Sequence, residues 1–201
     1  MNLKGAFRRK DEDEFVFNAN SILHWQASAH KLAYAAMILF KQYEKVWCTP
    51  LKENREPLDP DWFYSSLIPV IVLCGSAIEN LIKGILIAKG TPAVVGDELN
   101  PTLGGHNLRE LIDLAKFSVQ KREKRLLARL EQAIRFGKYP IPKAVSGVSN
   151  HRKARSLLEE DVKVIRRLFN RLDNELRLSA PGETDPTMES VLKRTESTTN
   201  S

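Results

Sequence analysis

The chain has 201 residues, 42% of them hydrophobic and 28% charged, which is the balance of a soluble globular domain with a real core and excludes disorder for the bulk of it. The formal charge of +6 is unevenly spread: Pro101 to Arg177 holds 18 Lys/Arg against 9 Asp/Glu, and the remainder holds 13 against 16. That asymmetry points to a phosphate-bearing partner, with solvated helix faces as the alternative.

The opening stretch MNLKGAFRRKDEDEF is charged and lacks the apolar run of a secretory signal, so a cytoplasmic protein is expected. Residues 1–19 form an N-terminal segment, 20–178 a helical domain and 179–201 a disordered tail poor in large apolar residues. The two cysteines, Cys48 and Cys74, stand far apart without a Cys-x-x-Cys or a nearby His pair. They are expected to be buried thiols, with no metal site and no cofactor.

Asn20 is placed to cap a long helix in which Ile22, Trp25, Ala29, Leu32, Ala36, Leu39, Tyr43 and Val46 recur at helical spacing, ending near Trp47. The proline-rich stretch CTPLKENREPLDPD cannot continue it. A second helix is capped by Asp59 or Ser65. In the first case Pro69 falls inside the helix and kinks it; in the second it sits in the first turn, where its missing N–H costs nothing. This helix runs to Lys89 and stops at Gly90, with Pro92 beyond.

The second helix is the most apolar segment of the chain, yet Ser76, Glu79, Asn80 and Lys83 fall on one of its faces at i, i+3, i+4 and i+7. A charged side chain at a bilayer centre costs about 2.5–3.5 kcal/mol, so Glu79 and Lys83 argue against a membrane span. The stripe is expected to face a cleft, a partner subunit or a ligand, with an exposed Glu79–Lys83 pair as the plainer alternative. If Lys83 reaches solvent along its stem, its loss is milder than that of Glu79.

After the loop TPAVVGDELNPTLGG, Asn107 and Glu110 make a capping box for a third helix with Leu108, Leu111, Ile112 and Ala115 on its apolar face. A fourth takes Leu127, Leu130, Ala133 and Ile134. Ser156 and Glu159 open a fifth, with Leu158, Val162, Ile165, Phe169, Leu172 and Leu176 inward and Lys163, Arg167 and Arg171 as a basic stripe. The fold class is all-α, a bundle of about five helices.

Several residues suit phosphate or base contacts. His106 precedes the Asn107 cap, where a helix N-terminus favours anions. Arg135, with Lys138 and Tyr139 just past the fourth helix, combines charge with a ring on which a base can stack, although Arg135, Gly137 and Pro140 also fit an ordinary helix stop. The loop SGVSNHRKARS places His151, Arg152, Lys153 and Arg155 ahead of the fifth helix. No P-loop, Ser-His-Asp arrangement, His-Glu-x-x-His pair or EF-hand loop occurs, which disfavours a metal or nucleotide-hydrolysing enzyme and leaves any catalytic residue unknown.

Three segments in this order, AIENLIKGIL, GHNLRELIDLA and AIRFGKYPIP, resemble the divergent bacterial members of the HEPN-like helical superfamily over roughly Leu67 to Pro142. The resemblance implies a helical bundle that pairs into a homodimer, with roles in RNA cleavage, nucleotide binding or defence and toxin–antitoxin systems. Catalytic members carry an Arg, a short spacer and then a His. No Arg stands at that distance before His24, His30, His106 or His151. The leading expectation is therefore an RNA- or nucleotide-binding protein without the usual ribonuclease motif. The alternatives are a non-catalytic protein-interaction or dimerisation module, and a ribonuclease whose site brings His106 or His151 to Arg135.

Overall fold

A computed structural model describes residues 3–45, 60–136, 159–180 and 182. Among them the chain is all-α apart from one small hairpin. The helices are α1 (Leu3–Asn20), α2 (Ile22–Tyr43), α3 (Pro60–Ala88), α4 (Pro101–Gly104), α5 (Leu108–Leu114), α6 (Lys121–Phe136) and α7 (Glu159–Ser179). The hairpin pairs β1 (Val94–Val95) with β2 (Glu98–Leu99), antiparallel, with Val94 opposite Leu99.

The central element is α3, which packs against α2, α6 and α7 and also touches α5. Its Leu67, Ile71, Ile78, Leu81, Ile82 and Ile85 are all 2% exposed or less, because nearly every face of the helix meets a neighbour. The window Leu67–Ala88 has the length and hydropathy of a membrane-crossing helix, but 67% of it is buried by the rest of the chain, as in a core helix. Pro69 lies inside α3, which begins before Ser65, so Ser65 is not its cap; Asp59 lies outside the described residues. Its C-terminus is a Schellman motif: Gly90 takes φ +93°, its N–H donates to Ile87 (2.9 Å), and the Thr91 N–H donates to Leu86 (2.9 Å).

Four features depart from the sequence-based expectations. Residues of the N-terminal segment form α1, and the cap of α2 is Ser21, whose hydroxyl accepts from the His24 N–H, while the Asn20 amide donates back to the Val16 carbonyl. The apolar seam of α2 holds at Ile22, Ala29, Ala36 and Tyr43, but Leu39 is 41% exposed and Gln26 and His30 are buried instead. The loop after α3 contains the hairpin, turned through Gly96 at φ +69° with no positive φ at Asp97, as a type II′ turn requires, and the one-turn helix α4. The capping box at α5 forms in altered shape: the Asn107 side chain accepts from the Glu110 N–H, while the Glu110 carboxylate takes the Asn107 side-chain amide (2.8 Å).

Leu108, Leu111, Ile112 and Ala115 are buried, as are Leu127, Leu130, Ala133 and Ile134 on α6 and Ile165, Leu172 and Leu176 on α7; Val162 and Phe169 are half-buried against the same core. Cys74 is also packed against it, and burial pushes its thiol pKa up to about 12, leaving it unreactive near neutral pH. Cys48, Val46, Trp47, Leu158, the Ser156 cap and the expected tail beyond Gly182 lie outside the described residues.

Candidate functional site

A carboxylate in the middle of an apolar helix must find partners inside the protein or remain unfolded from the core. Glu79 is 4% exposed and finds two. Lys83, one turn further along α3 and 5% exposed, donates its ammonium to Oε1. His106, from the turn between α4 and α5, places Nδ1 3.1 and 3.0 Å from the two carboxylate oxygens. A carboxylate only accepts, so Nδ1 is the donor in this contact. With 40% of its side chain exposed, His106 links a buried charge pair to the surface.

The rest of the stripe turns elsewhere. The Asn80 amide donates to Ser28 Oγ on α2 (2.9 Å), and the Lys83 ammonium lies 5.8 Å from the centre of the Trp25 ring, also on α2. Ser76 is half-buried one turn before Asn80. Three of the four stripe residues thus find partners within one chain: Glu79 meets Lys83 and His106, and Asn80 meets α2. Lys83 does not extend to solvent, so the condition under which its loss would be the milder one is not met.

Next to this turn lies a second charge centre. Arg109 is the second residue of α5, three positions after His106. Its Nε and Nη2 approach Glu131 of α6 at 3.3 and 3.4 Å. Arg135, one turn beyond Glu131, places Nη2 3.4 Å from the same Oε1. Glu131 is 5% exposed in its side chain, whereas Arg109 is 58% and Arg135 47% exposed. One buried carboxylate therefore holds two guanidinium groups at the surface, each retaining unused N–H donors.

Other charges are committed to structure. Arg171, expected to extend a basic stripe on α7, donates to Glu123 (2.7 and 2.9 Å) and to the Ser118 carbonyl (2.6 Å), and lies over the Phe117 ring. Arg167 donates to the carbonyl of Lys163 on its own helix (3.3 Å). Of this stripe, Arg171 fastens α7 to the start of α6. Glu123 also accepts from the Gln120 N–H (2.7 Å), capping α6.

Between α2 and α7, Asp173 accepts from Gln26 Nε2 and His30 Nε2, both at 2.8 Å, and from Arg177 Nε at 3.1 Å. Burial raises the Asp173 pKa, but the hydrogen bonds from His30 and Gln26 and the charges of His30 and Arg177 outweigh it and hold the carboxyl below its ordinary range.

Of the expected site residues, Lys83 and His106 both meet Glu79. Arg135 joins a neighbouring centre through Glu131 and Arg109. Lys138, Tyr139, His151, Arg152, Lys153 and Arg155 lie outside the described residues. The α5 helix is only seven residues long, and its Asn107 cap already occupies the Glu110 N–H, so its N-terminus offers less to an anion than expected. Sequence reasoning missed Arg109, Glu131 and the Gln26–His30–Asp173 cluster. Arg109 falls within the quoted segment GHNLRELIDLA, and Glu131 precedes Arg135 by one helical turn; the α2–α7 pairing has no local signal. Among the described residues no three His, Cys, Asp or Glu side chains gather as a metal-ligand set. No protein-family model, curated protein or solved structure matches the chain.

Proposed function

We propose that the chain is an RNA- or nucleotide-binding protein of HEPN-like type, engaging phosphate at the surface formed by His106, Arg109 and Arg135. The observation that carries this reading is Glu131: buried itself, it holds two half-exposed arginines, one of them three positions after His106, whose ring is anchored on Glu79. Arginine forks suit phosphate oxygens, and holding them in place beforehand reduces the entropy lost on binding. The net positive charge from Pro101 to Arg177 supports the same partner class through long-range attraction. The segment AIRFGKYPIP adds Lys138 and the aromatic Tyr139 directly after Arg135 in sequence, a combination suited to a stacked, single-stranded ligand.

The test is fluorescence anisotropy with a labelled single-stranded RNA across a salt series. Affinity should fall as salt rises, since each neutralised phosphate releases counterions. Replacing both Arg109 and Arg135 by Ala should weaken binding to all sequences alike and flatten the log–log slope by at most about 1.4, from about 0.7 per contact. Absence of binding at low salt, both to this RNA and to a labelled mononucleotide, overturns the reading.

A second reading, a protein-interaction or homodimerisation module, draws on a different observation. Phe15, Val16 and Phe17 of α1 and Leu23, Tyr34, Ile38 and Leu39 of α2 are all more than 40% exposed. The polar stripe on α3 does not favour this reading, because its partners come from the same chain.

A further inference from the structure

The arginine–carboxylate pairs of this protein differ in length. Arg171 and Arg129 bind their carboxylates at 2.7 Å, the length of a strong charge-assisted hydrogen bond. Arg109 and Arg135 stand 3.3–3.4 Å from Glu131, at the weak end of the range, and are the more exposed. Both of their Nη2 atoms lie 3.4 Å from one oxygen, Glu131 Oε1. The two guanidinium groups therefore lie close enough together for one anion to touch both.

We propose that Arg109 and Arg135, positioned by Glu131, form a site for one terminal phosphomonoester. This rests on the phosphate-binding reading above and narrows it to a ligand class. A monoester presents three terminal oxygens and close to two negative charges at neutral pH, whereas an internal phosphodiester presents two free oxygens and one charge. Two guanidinium forks need several acceptor oxygens close together, which the monoester supplies. The single negative charge of Glu131 leaves the two arginines with an excess of one positive charge, enough to favour the more highly charged ligand. The monoester can come from the 5′ end of an RNA, from its 3′ end or from a free mononucleotide, and the chemistry at the clamp is the same for each.

The experiment uses the full chain and one short single-stranded RNA prepared with a 5′-phosphate, with a 3′-phosphate and with hydroxyls at both ends, with binding read by anisotropy and by competition with a nucleoside monophosphate. At least one phosphorylated arm should bind about tenfold more tightly than the hydroxyl arm, the equivalent of one additional charge-assisted hydrogen bond. The arm that does so identifies the source. The preference should disappear in the Arg109→Gln/Arg135→Gln variant. In Arg109→Lys/Arg135→Lys, which keeps the charge beside Glu131 and guards against misfolding, most of it should be lost, because an ammonium cannot form the fork. Equal, salt-sensitive binding of all three RNAs overturns the terminal-phosphate site while leaving RNA binding intact. A preference that survives both double substitutions also overturns it. If no RNA binds and direct calorimetric titration with the nucleoside monophosphate also shows no binding, both readings are defeated.

Discussion

Glu79 and Lys83 are each about 5% exposed, so neither charge can be left alone at low cost. Removing one partner of a buried pair typically destabilises by about 3–5 kcal/mol, whereas replacing both with apolar groups of similar volume is often close to neutral. Lys83→Met and Glu79→Leu are therefore both expected to be severe singly. The double variant should recover much of the loss, with a coupling of about 2 kcal/mol or more in urea unfolding. His106 tempers Lys83→Met, because it still donates to Glu79 once the ammonium is gone. Additive losses would show that the pair is not one electrostatic unit.

At the scale of elements, two glycines let α3 sit deep in the bundle. A Cβ on Gly75 would come within 2.9 Å of the Ile134 side chain on α6, and one on Gly84 within 3.2 Å of Leu176 on α7. The helices can approach this closely because those positions carry no side chain, a gain that offsets the weak helix propensity of glycine. Gly75→Val adds a branched side chain against Ile134 and Leu130 and should destabilise by about 1–3 kcal/mol through overpacking. Gly84→Ala meets its neighbour less closely and should cost less. Paired thermal melts decide the order, and a neutral Gly75→Val would contradict the close α3–α6 contact.

Across the whole molecule, Asp173 joins the two helices that flank α3, with Gln26 and His30 on α2 and Arg177 on its own α7. The edge of the His30 ring also packs on Phe169 one turn earlier on α7. Since the folded-state pKa of Asp173 is lowered, its contribution is complete above the unfolded carboxylate pKa of about 3.9 and is lost as pH falls through the lower folded value. Asp173→Asn should therefore destabilise near neutral pH and differ progressively less from the unsubstituted protein below about pH 4. Chemical denaturation at several pH values measures this. A gap that stays constant into strong acid would place the effect in packing instead of charge.

The helical class, the stop at Gly90, the Asn107 cap and the apolar faces of α5, α6 and α7 are legible in the chain, because each depends on residues within a few positions of one another. The stripe on α3 is legible for the same reason, as helical periodicity alone places Glu79 and Lys83 together. Which way the stripe faces is not. That depends on His106, Ser28 and Trp25 arriving from other elements, and no local pattern encodes those meetings. The same limit explains Leu39, whose spacing is that of a core residue but which is 41% exposed. It also explains Arg171, which looks like an available cation until α6 and the Ser118 carbonyl occupy it. Arg109, Glu131 and Arg135 belong to two helices brought side by side by the packing of α5 and α6. Their convergence is a property of the tertiary structure, because only there do charges distant in sequence share one desolvated carboxylate.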